Sequence, residues 1–215
     1  MKGVPVKRPL ALCLALALTG VASPALAQIY GVLNDAKVVP VNGHLGGGYL
    51  QFDKSSATLM GQLRLSLYPN LDFGFVGGLS RLDIENDTKS SVRLATDFRG
   101  QIANQGANFP LSITLGAAIA LESADGFSLL SVGPTAAASR VLDQASQWTA
   151  TAGASLLLSR SEISGQRNTD TSLPLRLALQ YAPNTDIRIL AETQLAVSDE
   201  IRDDFSLTLG VLFPF

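Results

Sequence analysis

Charged side chains recur at alternate positions of several segments, and they could form either an ion-pair network or a path for ions. The set is Arg64, Arg93, Asp97, Arg99, Arg176, Arg188 and Glu192. Charges held away from water must pair, so a structural network is the first interpretation. Charged side chains that line a pore can also select ions, so an anion-selective constriction is the second. Spacing on neighbouring segments would set Arg176 or Arg188 against Glu192.

The only histidine, His44, is the remaining candidate for catalysis. A Ser-His-Asp site needs two further side chains at fixed geometry, and the sequence does not place them around His44. Gly46-Gly47-Gly48 is not followed by the Lys-Ser/Thr of a phosphate-binding loop. We therefore expect a structural or interfacial His44, with no catalytic residue and no cofactor site.

Two acidic clusters could bind Ca²⁺ through oxygen ligands or bridge lipid phosphates through divalent ions. They consist of Asp83, Glu85 and Asp87, and of Asp199, Glu200, Asp203 and Asp204. Neither has the spacing of an EF-hand loop, so both are interpreted as solvated loops and no metal site is predicted.

The last residues of the chain, 203–215, show the clearest periodicity. Large apolar residues occupy every second position: Phe205, Leu207, Leu209, Val211, Phe213 and Phe215. The residues between them are mostly small or polar, so a β-strand would have one apolar and one polar face. Its length suffices for a tilted strand that crosses a bilayer.

The same alternation extends over ten segments, which predicts an all-β, closed, antiparallel up-and-down transmembrane barrel, with eight strands as the alternative. The segments are Gly43–Phe52, Thr58–Tyr68, Leu71–Arg81, Ser91–Ala103, Phe109–Leu121, Phe127–Val141, Gln147–Ser159, Leu173–Ala182, Asp186–Val197 and 203–215. A soluble lipocalin-like barrel is the rival class, and it would point the large apolar residues inward. The low charged fraction of 16% favours the membrane barrel.

The connections between these segments must fall alternately on the two sides of the membrane. Those at 69–70, 104–108, 142–146 and 183–185 are assigned to the inside, and those at 53–57, 82–90, 122–126, 160–172 and 198–202 to the outside. The two longest connections, 82–90 and 160–172, then lie outside, and the two tightest turns, 69–70 and 183–185, lie inside. Short periplasmic turns and longer outer loops are typical of such barrels. The segment Phe127–Val141 contains Pro134, which cannot donate to a strand ladder, so we expect a β-bulge there.

The beginning of the chain predicts a signal peptide over residues 1–27. Lys2, Lys7 and Arg8 precede an apolar stretch, and Ala25-Leu26-Ala27 matches a cleavage site. Cleavage would remove the only cysteine, Cys13. Residues 28–42 lack periodicity and are interpreted as a periplasmic lead-in, with the barrel over 43–215.

The terminal strand that ends on Phe215 resembles that of Gram-negative outer-membrane β-barrel proteins. The resemblance implies recognition of this strand by the barrel assembly machinery, help from periplasmic chaperones, and contact with outer-membrane lipid and lipopolysaccharide. Removal of Phe215 should then impair assembly. The omptin proteases and lipid A deacylases of this class keep a histidine toward the outer side, whereas His44 falls at the other end.

Three functions follow, in order of preference. The first is a non-enzymatic barrel, either structural or a very narrow pore, whose lumen arginines set any ion preference. The second is a surface adhesin that binds through loops 82–90 and 160–172. The third is an outer-membrane enzyme. Nucleic-acid binding is not expected because no basic patch with interleaved aromatics is present, and a monomer is expected.

Overall fold

The computed structural model describes residues 33, 35–53, 56–84, 87–143, 145, 147–163, 165–198 and 204–215. These residues form the strands β1 (His44–Asp53), β2 (Ser56–Tyr68), β3 (Leu71–Ile84), β4 (Asp87–Ala103), β5 (Ser112–Ala124), β6 (Phe127–Val141), β7 (Trp148–Ser155), β8 (Leu157–Ile163), β9 (Gln166–Tyr181), β10 (Arg188–Ser198) and β11 (Asp204–Pro214). Within these ranges, no helix has the length and apolarity needed to cross a membrane.

The strands close into an antiparallel barrel. Apart from β7 and β8, which do not pair with each other, consecutive strands pair in sequence order, and β1 pairs with β11 to join the two ends of the sheet. The short strands β7 and β8 lie end to end in one position, because both pair with β6 on one side and with β9 on the other. The predicted ten-stranded closed barrel is therefore confirmed, with one strand divided into two pieces.

The barrel is apolar outside and polar inside, which is the reverse of a soluble barrel. On β2, Leu59 is 61% exposed on the outer face whereas its neighbour Met60 is 2% exposed inside. The same alternation runs through the other strands, with buried Ser, Thr, Gln, Arg and Glu side chains lining the interior. Large apolar side chains that face outward need a lipid environment, so the lipocalin-like alternative is excluded.

The β-bulge expected in β6 is not present. The β6 register is continuous against β5, and Thr135↔Ser155 and Val132↔Leu158 belong to one continuous register on the other side. The effect of Pro134 falls on the neighbouring strand instead. Leu156 donates its N–H to the Pro134 carbonyl at 3.1 Å, but proline has no N–H to return the bond, and the ladder is interrupted at Leu156.

The two long loops that the sequence predicted are largely strand. The hairpin of β3 and β4 remains paired as far as Ile84 and Asp87, and that of β8 and β9 as far as Ile163 and Gln166. Polar composition had suggested loops, but antiparallel pairing continues past the apolar part of the wall because backbone hydrogen bonds do not depend on side-chain polarity. Of the acidic clusters, Asp83, Asp87 and Asp204 lie in strands, and Glu85, Asp199, Glu200 and Asp203 lie outside the described residues.

The seam between β1 and β11 ends in a paired contact between His44 and Phe215. Each of the two backbones donates an N–H to the carbonyl of the other at 3.0 Å. The imidazole and phenyl rings are stacked with their centroids 5.4 Å apart. These contacts agree with the structural role expected for His44 and give the terminal phenylalanine a place in barrel closure.

The end of the barrel that carries His44 and Phe215 also carries a turn at Asp143 and an aromatic pair. Both lie across the barrel from the β1–β11 seam. The Asp143 carboxylate accepts the N–H groups of Trp148 at 2.8 Å and Gln147 at 3.2 Å. These backbone bonds, with that of Trp148 the strongest, lower the pKa of Asp143. The Trp148 and Tyr181 rings lie 4.6 Å apart at the start of β7 and the end of β9. Aromatic pairs of this kind form the interfacial girdle of membrane barrels.

The seam also depends on Gly210, which should not tolerate a side chain. A Cβ atom at Gly210 would overlap the ring of Tyr49 and lie 2.8 Å from the Gly48 carbonyl oxygen. We expect Gly210→Ala to destabilise the barrel by about 1–3 kcal/mol through overpacking. Gly48→Ala is the matched control, since no heavy atom lies within 4 Å of its Cβ position. Urea unfolding in lipid vesicles, followed by Trp148 fluorescence, measures both; equal midpoints for the two variants would contradict the expectation.

Candidate functional site: an occupied lumen

The residues before the first strand do not remain outside the barrel. The described part of this region, residue 33 and residues 35–39, runs along the lumen and bonds to the interior of the wall. Ala36 is fully buried and Val39 is nearly so. The interpretation of residues 28–42 as a periplasmic lead-in did not anticipate this placement. We call residues 33–39 the lumen segment.

Four backbone N–H groups of the lumen segment donate to polar side chains of the wall, and one of these bonds runs from Val38 to Gln101 Oε1 at 3.4 Å. Val39 donates to Asp72 Oδ2 at 3.0 Å, Ala36 to Ser139 Oγ at 3.1 Å, and Leu33 to Glu192 Oε2 at 2.6 Å. The acceptors lie on β3, β4, β6 and β10, so the segment is attached to four strands of the wall.

Arg99 of β4 holds the middle of the lumen segment. Its Nη1 donates to the Asp35 carbonyl at 2.6 Å and its Nη2 to the Lys37 carbonyl at 3.1 Å. The Asp35 side chain adds a bond from Ser139 Oγ to its Oδ1 at 2.5 Å. The guanidinium fork therefore binds the carbonyls of Asp35 and Lys37 on either side of Ala36, a geometry that a flexible ammonium group would not fix.

The same arginine belongs to an ion-pair network at this level of the barrel. Asp72 lies between two guanidinium groups, at 2.8 Å from Arg99 Nε and 2.7 Å from Arg64 Nη2. Arg64 also pairs with Asp97 at 2.6 Å. Asp72 is completely buried, so these donors replace the water it has lost.

Two further pairs complete the charged interior. Arg93 Nε lies 2.9 Å from Glu122 Oε1, and Arg176 Nη2 lies 2.6 Å from Glu192 Oε1. The alternatives for Glu192 are thus resolved, since Arg176 is its partner. Arg188 makes no ion pair with any described residue.

Two of the acids in this network were missed from the sequence. Asp72 is buried on the inner face of β3, and it is absent from the charged set that alternation predicts. Glu122 falls in the predicted connection 122–126, whereas β5 continues to Ala124 and directs it inward. The cross-strand register would have identified both acids, because Asp72 is directly opposite Arg99 and Glu122 is directly opposite Arg93.

A cavity lies between Leu33 of the lumen segment and the wall. The cavity has a volume of about 70 Å³ and is lined by Leu33 of the segment and by wall residues that include Arg64, Thr114, Ser131 and Arg176. The lumen segment therefore takes up part of the polar interior of the barrel.

Most of the charged side chains of the lumen are paired with one another. The described residues contain no group of three or more His, Cys, Asp or Glu side chains arranged to hold a metal ion. The charges form a nearly balanced set, because Arg64 and Arg99 face Asp72 and Asp97, and the other two pairs are neutral. This arrangement holds a chain segment within the polar lumen.

Comparison with solved structures identifies the fold, whereas comparison of sequences finds no match. No known protein family matches the chain, and no curated protein matches it. The COG4313 outer membrane channel from Pseudomonas putida F1 matches with a TM-score of 0.56 and 11% identity, over 86% of this chain and 100% of that chain. The N-terminal β-barrel domain of Pseudomonas aeruginosa OprF matches with a TM-score of 0.38 and 12% identity, over 81% and 98%. The chain thus has the fold of bacterial outer-membrane β-barrels.

Proposed function

We propose that this chain is an integral outer-membrane barrel without enzymatic activity, and that it is a narrow pore closed by its own N-terminal segment. The observation that carries the proposal is the lumen segment itself, bonded to the wall through Asp72, Ser139, Glu192 and Arg99. The apolar outer wall supports insertion in a bilayer, and the fold resembles that of an outer membrane channel.

The wall is built so that the lumen segment can leave without stranding a charge. Asp72 keeps Arg64 and Arg99 as partners, and Glu192 keeps Arg176. If the segment served only to stabilise the barrel, we would expect its own charged side chains to be members of the ion pairs. Its attachment through backbone groups, each worth about 1 kcal/mol net, suits a closure that opens.

The ion preference of the open pore follows from the same contacts. Release of the segment would free the two Arg99 N–H groups that now bind Asp35 and Lys37. Arg188 adds a positive charge without an acidic partner among the described residues. Because the remaining charges are balanced, we propose a weak preference for anions rather than strict selectivity.

The orientation follows from secretion and from the two ends of the barrel. The end with His44, Phe215 and the tight turn at Asn70 is proposed to face the periplasm, and the extended hairpins to face outward. The lumen segment then approaches from the periplasmic side, where a periplasmic factor or a voltage could withdraw it.

A reversible cross-link between the segment and the wall tests the proposal. A Cβ at Gly153 would lie 3.0 Å from both Leu33 Cδ atoms, so Leu33→Cys with Gly153→Cys places two thiols within bonding reach. The chain from Gln28 onward has no native cysteine. In planar bilayers the oxidised variant should show no opening events, and reductant should restore them. Each single-cysteine variant is the control; openings that persist under full oxidation would refute closure by the segment.

A second candidate, surface binding, is favoured by the extended hairpins. Arg167 Nε and Glu162 Oε2 form an exposed ion pair at 2.9 Å near the tip of the β8–β9 hairpin. We propose polar recognition there if the chain does not conduct. Charge-neutral replacement of both residues should then abolish adhesion of cells that display the barrel, while the heat-dependent shift on gels is kept.

A further inference from the structure

The outer wall carries an arginine whose charge is not compensated, beside a groove. Arg160 of β8 is exposed on the lipid-facing side, and it forms no ion pair with any described residue. The nearby Glu162 is already paired with Arg167. Arg160 therefore carries a positive charge without an acidic partner among the described residues, next to an apolar part of the wall.

The groove next to Arg160 is lined by both apolar and polar residues. It has a volume of about 390 Å³ and spans four neighbouring strands, with Leu94, Leu121 and Leu130 among its lining residues. Arg160 and Ser128 form part of its more polar border. Leu130 and Arg160 are direct cross-strand partners, so the apolar surface and the guanidinium are adjacent.

The height of Arg160 in the wall matches a lipid headgroup. It stands twelve residues after Trp148 in one continuous register of β7 and β8. At about 3.3 Å per residue and a tilt of about 40°, this is about 30 Å along the barrel axis. Since the apolar band of such barrels is about 25 Å tall, Arg160 lies just beyond the edge opposite the Trp148–Tyr181 pair.

We propose that this groove binds a phosphorylated lipid of the outer leaflet, with acyl chains on the leucine surface and a headgroup phosphate at Arg160. A guanidinium binds phosphate oxygens in a bidentate fork, and the interfacial setting strengthens the contact. The proposal relies on the outer-membrane orientation given above but not on pore activity, so loss of conductance would leave it unaffected.

Native mass spectrometry of the chain from Gln28 onward, folded in detergent, tests the site with bisphosphorylated lipid A as the probe. We expect one retained lipid, and a decrease of at least about fivefold in the bound fraction for Arg160→Gln. Arg140→Gln is the matched control, because Arg140 is also exposed on the outer face but lies at the opposite end of the wall. Equal retention by the wild type and Arg160→Gln would overturn the proposal.

Two further arms separate lipid recognition from simple charge attraction. Leu130→Asn, which changes the groove surface and not the charge, should also weaken retention. Dephosphorylated lipid A should be retained poorly by the wild type. Displacement of the lipid by millimolar inorganic phosphate would show an anion site without lipid recognition and would count against the proposal. The heat-dependent gel shift confirms that each variant is folded.

Discussion

A chain that begins at Val38, and so lacks residues 28–37, is expected to conduct continuously. The truncation removes the bonds of Leu33 and Ala36 to Glu192 and Ser139, and the two carbonyls that Arg99 holds. It keeps Val39 and its bond to Asp72, together with the turn in which Gly43 bonds to Pro40. The start of β1 should therefore remain in place while the middle of the lumen empties.

The size of the effect follows from the number of lost contacts. Five hydrogen bonds, which include that from Ser139 to the Asp35 carboxylate, favour the closed state by about 5 kcal/mol at about 1 kcal/mol each. Ordering of the segment offsets part of this, so we expect a rise of about 100-fold in time-averaged conductance. Single-channel recording in planar bilayers measures it.

The control for this truncation is Lys37→Gln in the full chain. The Lys37 side chain is exposed, and only its carbonyl contacts Arg99. Its conductance should remain that of the wild type. If the truncated chain gave the same low conductance as the wild type, the wall alone would close the lumen, and the lumen segment would have no gating role.

Period-two alternation was enough to predict the barrel because lipid outside and packed polar groups inside impose opposite demands on successive residues. Leu59 and Met60 show why the pattern is readable even where both residues are apolar: the leucines around Leu59 fix the phase, and Met60 follows it inward. The extent of the strands was less predictable. Beyond the bilayer, both faces of a strand carry polar residues. The hairpins that end near Ile84 and Ile163 therefore show no apolar alternation from which their length could be predicted.

The lumen segment was not predictable from periodicity at all. Residues such as Ala36 and Val39 are held by their backbone N–H groups, and a backbone donor has no sequence signature. The side chains that accept those bonds, Ser139 and Asp72, are also unremarkable as types inside a polar lumen. Cross-strand register, which brings Asp72 opposite Arg99, becomes visible only once the strands are paired.

Replacement of Asp72 by alanine is expected to be the most destabilising single change in the lumen. Its carboxylate is fully buried and accepts bonds from Arg64, Arg99 and the Val39 N–H. Without it, two buried guanidinium groups would share the single carboxylate of Asp97. Breaking a buried ion pair in this way costs about 3–5 kcal/mol.

The measurement is urea unfolding of the barrel in lipid vesicles, followed by the fluorescence of the single tryptophan, Trp148. Asp97→Ala is the matched control, because the Asp97 side chain is 25% exposed and binds Arg64 alone, so its loss should cost clearly less. The double variant Asp72→Ala with Arg99→Met should recover part of the loss, since it removes one of the stranded charges. If that double variant were less stable than Asp72→Ala by the full cost of losing Arg99, charge imbalance would not be the cause, and packing around Asp72 would have to explain the effect.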